Sequence, residues 1–244
     1  MRPLLLFSLL LSLTQTSYTT ASASPPSSSS SFTEVSSKLL WSTLLSTFEV
    51  HEPIQIPLVD AAISAYTHFI PKSNPNSDAI LGDQFYLAQV SPQGTNKVFQ
   101  QDPTFTQLKE TMAEVFSYTL QQFFNVQPTK QQLDGLFCWA TVGGGPNPES
   151  QTFHPPHTHK NSVLSAVYYA SIPTPSAPIT FQDPRGSWTS QIHAHQPQNN
   201  TIVVFPSWLE HYIGVTPSSP QYRISYSCNL PGSHHTTTDL NIEL

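Results

Sequence analysis

The stretch His-Thr-His-Lys-Asn-Ser-Val-Leu-Ser-Ala-Val-Tyr-Tyr, residues 157–169, carries the two features that decide the fold. The run from Val163 to Ala170 is apolar and rich in β-branched and aromatic residues, which is typical of a buried strand. His157 and His159 stand just before that run, with one residue between them. In an extended segment, side chains two apart point to the same side, so both imidazoles can reach one metal ion. This stretch predicts a β-rich fold with a metal site near the start of a strand.

More short strands, separated by turn residues, surround this segment in the C-terminal half of the chain. The glycine run 143–145, followed by Pro146, ends one of them. The predicted strands cover residues 136–142, 162–172, 179–182, 201–205, 211–216 and 223–230. We see no internal repeat in this pattern.

Two helices are predicted before these strands. Residues 57–69 begin with a proline at a first-turn position and have small and apolar residues on one face. Residues 104–124 give the stronger pattern, with Asp102 as a candidate cap. The apolar positions at helical spacing in this second segment are Phe105, Leu108, Met112, Val115, Phe116, Leu120 and Phe123. Helices followed by a run of strands predict an α+β, mainly β fold, with helices covering one face of a sandwich or barrel.

The N-terminal residues have the features of an export signal. Arg2 precedes an apolar run from Leu4 to Leu13, and Ala21-Ser22-Ala23 resembles a cleavage site. The run is shorter than the roughly 20 residues of a membrane span, so we expect none in the mature chain. We therefore predict a signal peptide over residues 1–23 and a secretory or secreted protein, with an organellar transit peptide as the alternative.

The rest of the chain is predicted to form one domain. A Pro- and Ser-rich linker covers residues 24–31, and a polar tail covers residues 232–244. Between them lie an N-terminal helical or irregular part, 32–135, and a β-rich core, 136–231. The net charge of −6 and the few basic residues argue against a nucleic-acid partner. Cys138 and Cys228 either pair or are separately buried, and the sequence leaves both open.

Two further features extend the metal motif. His211 follows the apolar strand at 201–205, and Arg223 and Ser225 open the last strand on one face. Two nearby ligands, a distant third and then an arginine are what a facial-triad iron site requires, because such a site leaves positions open for a bidentate co-substrate and O₂. The guanidinium fork suits the far carboxylate of that co-substrate.

Four blocks of sequence, in order, resemble the 2-oxoglutarate/Fe(II) oxygenase family, a relative of the prolyl 4-hydroxylases. They are residues 157–169, 178–185 (Pro-Ile-Thr-Phe-Gln-Asp-Pro-Arg), 205–211 (Phe-Pro-Ser-Trp-Leu-Glu-His) and 223–230 (Arg-Ile-Ser-Tyr-Ser-Cys-Asn-Leu). The resemblance implies a double-stranded β-helix core with flanking N-terminal helices. It also implies Fe(II) as cofactor, 2-oxoglutarate as co-substrate, and O₂ and an unidentified prime substrate as the other reactants.

The resemblance also assigns roles to individual residues. It implies that His157 and His211 are metal ligands, and that Arg223 and Ser225 bind the 2-oxoglutarate carboxylate with Thr180 as a further contact. The departure is at His159, where wider oxygenase families have a carboxylate. Either His159 is the third ligand or the nearby Asp183 replaces it.

Two other functions remain open from the sequence alone. One is a three-histidine, cupin-type dioxygenase that does not use 2-oxoglutarate, which Arg223 and Ser225 disfavour. The other is a non-catalytic jelly roll that binds metal or sugar. A second His-x-His segment, His193 to His195, lies in a Gln- and Pro-rich stretch and is predicted to be a loop outside the site.

Overall fold

The computed structural model describes residues 31–41, 43–51, 54, 58–60, 62–63, 83–86, 103–146, 152–186 and 191–232. Within these ranges the chain forms two antiparallel sheets and a long helix. No helix in the described ranges is long and apolar enough to cross a membrane. The predicted leader, the 24–30 part of the linker and all but the first residue of the polar tail lie outside the described residues.

The larger of the two sheets has seven strands. They are β1 (Phe32–Leu40), β2 (Thr43–Val50), β3 (Asp83–Tyr86), β4 (Phe137–Gly144), β6 (Ser162–Ser171), β9 (Thr201–Pro206) and β11 (Tyr222–Pro231), and their order across the sheet is β1-β2-β9-β6-β11-β4-β3. The smaller sheet has four strands. They are β5 (Thr152–His157), β7 (Ile179–Gln182), β8 (Ile192–His195) and β10 (His211–Thr216), in the order β5-β10-β7-β8. This arrangement confirms the predicted double-stranded β-helix.

One face of the larger sheet packs on helix α1 (Pro103–Phe124). Along β11, Ile224, Tyr226 and Cys228 belong to this apolar layer because alternate residues of a strand share a face. Six of the seven predicted apolar positions of α1 are buried here, whereas Phe123 is 39% exposed. The helix prediction is therefore confirmed, although its candidate cap Asp102 lies outside the described residues. A short second helix, α2 (Lys130–Asp134), is capped by Thr129 and leads into β4.

The other face of the larger sheet points at the smaller sheet, and a second apolar cluster fills part of the space between them. Its buried members are Leu45, Val167, Tyr169, Ile179, Phe181, Val203, Phe205 and Leu209. On β11, Arg223 and Ser225 share this inner face and are both buried. The interior between the sheets is thus apolar at one side and polar at the other.

The six predicted strands are all present, with ends that differ by at most one or two residues. The N-terminal part differs from its prediction, because residues 32–50 form the β1–β2 hairpin instead of helical or irregular structure. Of the predicted helix at 57–69, only residues 58–60 and 62–63 are described, and they are helical. The segment around His193 forms strand β8, which pairs with β7, and is not a loop.

Cys138 and Cys228 form a disulfide between the directly paired strands β4 and β11. Both cysteines are fully buried beneath α1, in the layer between helix and sheet. The bond joins residues 90 positions apart, so it links the first strand of the C-terminal half to the last. Of the two possibilities that the sequence left open, the structure has the paired one.

We predict that replacing both cysteines by alanine lowers the free energy of unfolding by about 2–4 kcal/mol, because the unfolded chain then loses a long covalent loop. Urea unfolding of the oxidised protein and of the variant measures this difference. Wild-type protein unfolded in reductant serves as the control and should be about as unstable as the variant. Alkylation of both cysteines in unfolded, non-reduced protein would contradict the pairing.

Candidate metal centre

Three histidines meet between the sheets, at one end of the barrel. His211 opens β10 and pairs directly with His157, the last residue of β5. His159 follows two residues later, and its backbone N–H donates to the carbonyl of Ser207 (2.9 Å). The ligand nitrogens of His157, His159 and His211 all lie within 4.8 Å of one another. In the described part of the chain this is the one group of three such side chains able to hold a metal ion.

Backbone hydrogen bonds fix which nitrogen two of these histidines present. Nδ1 of His157 lies 2.8 Å from the carbonyl of Pro155, and Nδ1 of His211 lies 2.9 Å from the carbonyl of Leu209. A carbonyl only accepts, so each Nδ1 carries the proton and each Nε2 has a free lone pair. Such contacts are the usual way that proteins orient ligating imidazoles.

The spacing of the nitrogens suits an ion with ligands at right angles. Nε2 of His159 and Nε2 of His211 are 3.2 Å apart. Two nitrogens at about 2.1 Å from a metal and at right angles to each other are separated by about 3 Å. This separation fits two neighbouring ligands of a first-row divalent metal, and a ligand nitrogen of the third imidazole, His157, lies within 4.8 Å of both.

Burial keeps the imidazoles of His159 and His211 neutral. Together with the smaller effects of His157 and His154, it lowers the pKa of His159 to about 3, and it lowers the pKa of His211 well below its usual value. The ring of Phe205 packs edge-on against His211 (4.6 Å between centroids), and the ring of Trp139 lies beside His159 (5.5 Å). A neutral imidazole is the form that binds metal, so the site is ready for an ion at neutral pH.

A chain of hydroxyl groups supports the segment that carries His159. The Ser165 hydroxyl donates to the side-chain oxygen of Asn229 (2.8 Å), so the Ser207 hydroxyl donates to Ser165 (2.8 Å). The backbone N–H of Ser207 in turn donates to the carbonyl of Val163 (3.1 Å), and its carbonyl accepts from His159. Because Ser165 and Ser207 are fully buried, these bonds hold the β9–β10 corner against β6.

Arg223 lies between the sheets on β11 and is only 3% exposed. Its Nε and one terminal nitrogen have no hydrogen-bond partner in the described part of the chain. The guanidinium carbon is 5.8 Å from the centre of the Tyr169 ring, and the Tyr169 hydroxyl is likewise buried without a partner among those residues. Burial lowers the pKa of Arg223 and raises the pKa of Tyr169. Ser225, which pairs with Tyr169, is buried on the same face.

His154 lies beside the metal-binding group, with its ring centroid 6.0 Å from that of His157. Burial, and to a smaller extent the charges of His157 and Arg223, lowers the pKa of His154 to about 4. His154 pairs with Ile213 on β10, while His157 pairs with His211. The two histidines are therefore three residues apart on β5, but their partners are only two residues apart on β10. The extra residue forms a bulge at Pro155-Pro156, which puts His154 and His157 on one face.

The structure therefore brings His157, His159, His211, Arg223 and Ser225 to one interior, and it adds Tyr169, which the sequence did not place in the site. For His154 the sequence left two positions open, beside the ligands or at the surface, and the structure has it beside His157. Tyr169 sits in an apolar run that predicts core packing, so no sequence signal marks its hydroxyl. Only the bulge decides between these two positions for His154, because three-residue spacing in a regular strand puts side chains on opposite faces.

Two other candidates lie elsewhere. Thr180 alternates with Ile179 and Phe181, which pack in the inner cluster, so its side chain lies on the opposite face of the smaller sheet. The Asp183 carboxylate accepts two close hydrogen bonds from the Arg185 guanidinium (3.0 and 2.7 Å) and is not part of the metal-binding group. His159, and not Asp183, completes that group.

The comparisons with known proteins agree with this geometry. Residues 138–229 match the family model described as "Putative 2OG-Fe(II) oxygenase". A search of curated proteins gives no match. Among solved structures, the chain is similar to the non-heme α-ketoglutarate-dependent epimerase SnoN from nogalamycin biosynthesis, with 13% identity over 82% of this chain and 88% of that one and a TM-score of 0.54.

Two hydroxylase structures are also similar. A prolyl 4-hydroxylase of Phytophthora capsici shares 13% identity over 82% of this chain, which spans 63% of that protein's length, with a TM-score of 0.52. A prolyl hydroxylase of Trichoplax adhaerens, solved with a hypoxia inducible factor peptide, shares 10% identity over 88% of this chain and 89% of that one, with a TM-score of 0.51. At these identities the similarity establishes a common fold.

The first prediction for this site concerns the metal. We expect His211→Ala to weaken binding of a divalent metal by more than about 100-fold, because one of three ligands is lost. His193→Ala is the matched control, since it removes a histidine from the other His-x-His segment, and it should bind metal like wild type. Anaerobic titration with Fe(II) measures the metal affinity of each variant, and metal analysis of the dialysed protein measures how much metal it retains.

His159 is tested by the same titration. His159→Ala should also weaken metal binding sharply, and His159→Asp should preserve it. Unchanged metal affinity in His159→Ala would show that His159 is not a ligand.

The second prediction concerns pH and the metal-free protein. The folded pKa of His159, about 3, lies far below the unfolded value of about 6.5, so between these values only the unfolded state binds the proton. Stability is therefore complete above about pH 6.5 and falls as the pH is lowered. From pH 7 to pH 5 the wild type should lose about 1–2 kcal/mol more than His159→Gln in urea unfolding. An equal loss in both proteins would mean that this imidazole is not held neutral.

Proposed function

We propose that the chain is an Fe(II)- and 2-oxoglutarate-dependent oxygenase of the hydroxylase type, a proposal supported by the match of residues 138–229 to the 2-oxoglutarate/Fe(II) oxygenase family model. Fe(II) with 2-oxoglutarate and O₂ supplies the chemistry of such enzymes: oxidative decarboxylation of the co-substrate to succinate, coupled to oxidation of a second substrate. His157, His159 and His211 would hold the iron. The prime substrate is not identified.

The observation that carries this proposal is the buried guanidinium of Arg223, two of whose nitrogens have no hydrogen-bond partner among the described residues. Removing a charged group from water costs several kcal/mol unless an opposite charge offsets it. The described part of the chain has no salt bridge from Arg223 to a carboxylate, and the contact found for its guanidinium is the face of the Tyr169 ring, 5.8 Å from the ring centre. A small anion that enters the site would supply the missing charge, and a carboxylate matches the fork of Arg223.

The groups around Arg223 fit one end of a dicarboxylate. The Tyr169 hydroxyl stays protonated because its pKa is raised, so it can donate a hydrogen bond to an anion. Ser225, on the same face, offers a second hydroxyl. The charges of Arg223 and His157 both lower the pKa of His154, so the arginine and the metal ligands belong to one polar interior. A five-carbon keto diacid has an anionic group for each end.

The absence of a carboxylate among the three histidines strengthens the need for an anionic co-substrate. Three neutral imidazoles leave the full charge of a divalent metal uncompensated, and Arg223 adds another positive charge. The two carboxylates of 2-oxoglutarate offset most of this charge. We infer that the co-substrate and the metal bind with strong mutual dependence.

A second candidate function is a three-histidine dioxygenase that does not use 2-oxoglutarate. The ligand set favours it, because all three members of the group are histidines. Arg223 disfavours it, since an enzyme without a dicarboxylate co-substrate has no use for a buried guanidinium beside the metal. The two candidates differ in one measurable property, the requirement for 2-oxoglutarate.

We predict that Arg223→Lys raises the 2-oxoglutarate concentration for half-saturation by about 10- to 100-fold, because the charge is kept but the two-pronged hydrogen bond is lost. Metal affinity should stay within about 3-fold of wild type. Arg185→Lys is the matched control, because Arg185 is exposed and bonded to Asp183 outside the site. Calorimetric titration of the metal-loaded protein with 2-oxoglutarate, and succinate formation in air, measure the effect.

Two outcomes of these measurements would contradict the proposal. If Arg223→Ala binds 2-oxoglutarate as tightly as wild type, or if metal-loaded wild type forms no succinate and binds no 2-oxoglutarate, the three-histidine dioxygenase becomes the better assignment.

A further inference from the structure

The turn between β8 and β9 contains a motif that the proposed oxygenase function does not use. Asn199-Asn200-Thr201 has the Asn-x-Thr pattern of an acceptor for N-linked glycosylation. Such triplets occur by chance, so the sequence alone decides little. In the structure the two asparagine side chains differ in their exposure and in their hydrogen bonds.

Asn200 is the residue that holds the turn. It has a positive φ of 62°, a conformation that asparagine tolerates better than most residues. Its side chain accepts from the Tyr168 hydroxyl (2.9 Å) and donates to the carbonyl of Val50 (2.6 Å), and its backbone N–H donates to the carbonyl of Tyr169 (2.8 Å). Asn200 therefore faces the protein and is fully engaged.

Asn199 has the opposite orientation. It is exposed, and its side-chain oxygen accepts the backbone N–H of Ile172 at 2.6 Å. A backbone N–H only donates, so the bonded atom is Oδ1, and Nδ2 is left on the other side of the amide. Nδ2 makes no hydrogen bond to any described residue. A glycan replaces one hydrogen of Nδ2 and leaves the Oδ1 bond intact, so the folded protein accommodates it without losing a contact.

The position of the turn leaves the metal site clear. Asn199 lies beside Ile172, just after the C-terminal end of β6, whereas His159 precedes the N-terminal end of the same strand. Thr201 is buried and its hydroxyl donates to the carbonyl of Gln198 (2.8 Å), so this residue helps close the turn in the folded state.

An independent observation points to the compartment in which such glycans are added. The buried Cys138–Cys228 disulfide is a bond of oxidising compartments and is rare in proteins of the cytosol. The sequence features of residues 1–23 predict entry into the secretory pathway, which is also an oxidising compartment. We propose that Asn199 carries an N-linked glycan, added as the chain passes through the secretory pathway.

The test uses the full chain, with its own N-terminus, expressed in a eukaryotic cell. Wild-type protein should migrate more slowly before than after treatment with peptide N-glycosidase, and peptide mass spectrometry should find Asn199 converted to Asp. Asn199→Asp keeps the Oδ1 acceptor for Ile172 but cannot be glycosylated, so it should lose the whole shift while folding normally. Thr201→Ser keeps the motif and the hydroxyl, so it should retain the shift.

Two results would overturn the proposal. One is secreted, disulfide-bonded wild-type protein with an unmodified Asn199. The other is a full chain that stays in the cytosol and carries no glycan. Both results leave the oxygenase assignment untouched, because the metal and 2-oxoglutarate titrations do not depend on the glycan.

Discussion

The direct pairing of His157 with His211 across β5 and β10 is the constraint on which the site depends. Paired residues of an antiparallel ladder point to the same side, so this register aims two imidazoles from distant parts of the chain into one interior. Each imidazole donates its Nδ1 proton to the carbonyl two residues earlier in the chain, that of Pro155 or Leu209. Nε2 of each ring is thereby left for a metal. A shift of one residue in this ladder would turn one of the two ligands to the outside.

In the larger sheet, a single strand contributes both to stability and to the site. The residues of β11 on one face, including Cys228, pack under α1 in the main apolar layer, and those on the other face, including Arg223, point toward the metal ligands. One face of β11 thus contributes to the apolar core, and the other contributes residues to the site. An uncompensated buried charge such as that of Arg223 destabilises the metal- and ligand-free protein, and the apolar packing under α1 opposes this effect.

The sequence predicted the parts of the fold that depend on local pattern. The spacing of His157 and His159 put this pair on one face, and the apolar period of 104–124 located the helix. The sequence did not predict the role of Tyr169, because nothing in an apolar run marks its hydroxyl. It left His154 either beside the ligands or at the surface, because the face of His154 depends on the bulge at Pro155. The resemblance put Thr180 in the site, but its side chain lies on the face of β7 opposite to Ile179 and Phe181. Which face points inward is decided by how the sheet packs in the folded protein. The β1–β2 hairpin was missed, and one reason is that β2 meets β9, which holds it in the sheet, only in three dimensions.

Three neutral imidazoles and one buried guanidinium are, in the function proposed above, the groups that together hold a metal and a dicarboxylate. The most direct measurement is a crystal structure of the protein loaded with 2-oxoglutarate and with Mn(II), which does not turn over. We expect one metal at about 2.0–2.3 Å from Nε2 of His157, His159 and His211, and a carboxylate of 2-oxoglutarate on the Arg223 guanidinium. A metal bound elsewhere, or a dicarboxylate that leaves Arg223 without a contact, would contradict this expectation.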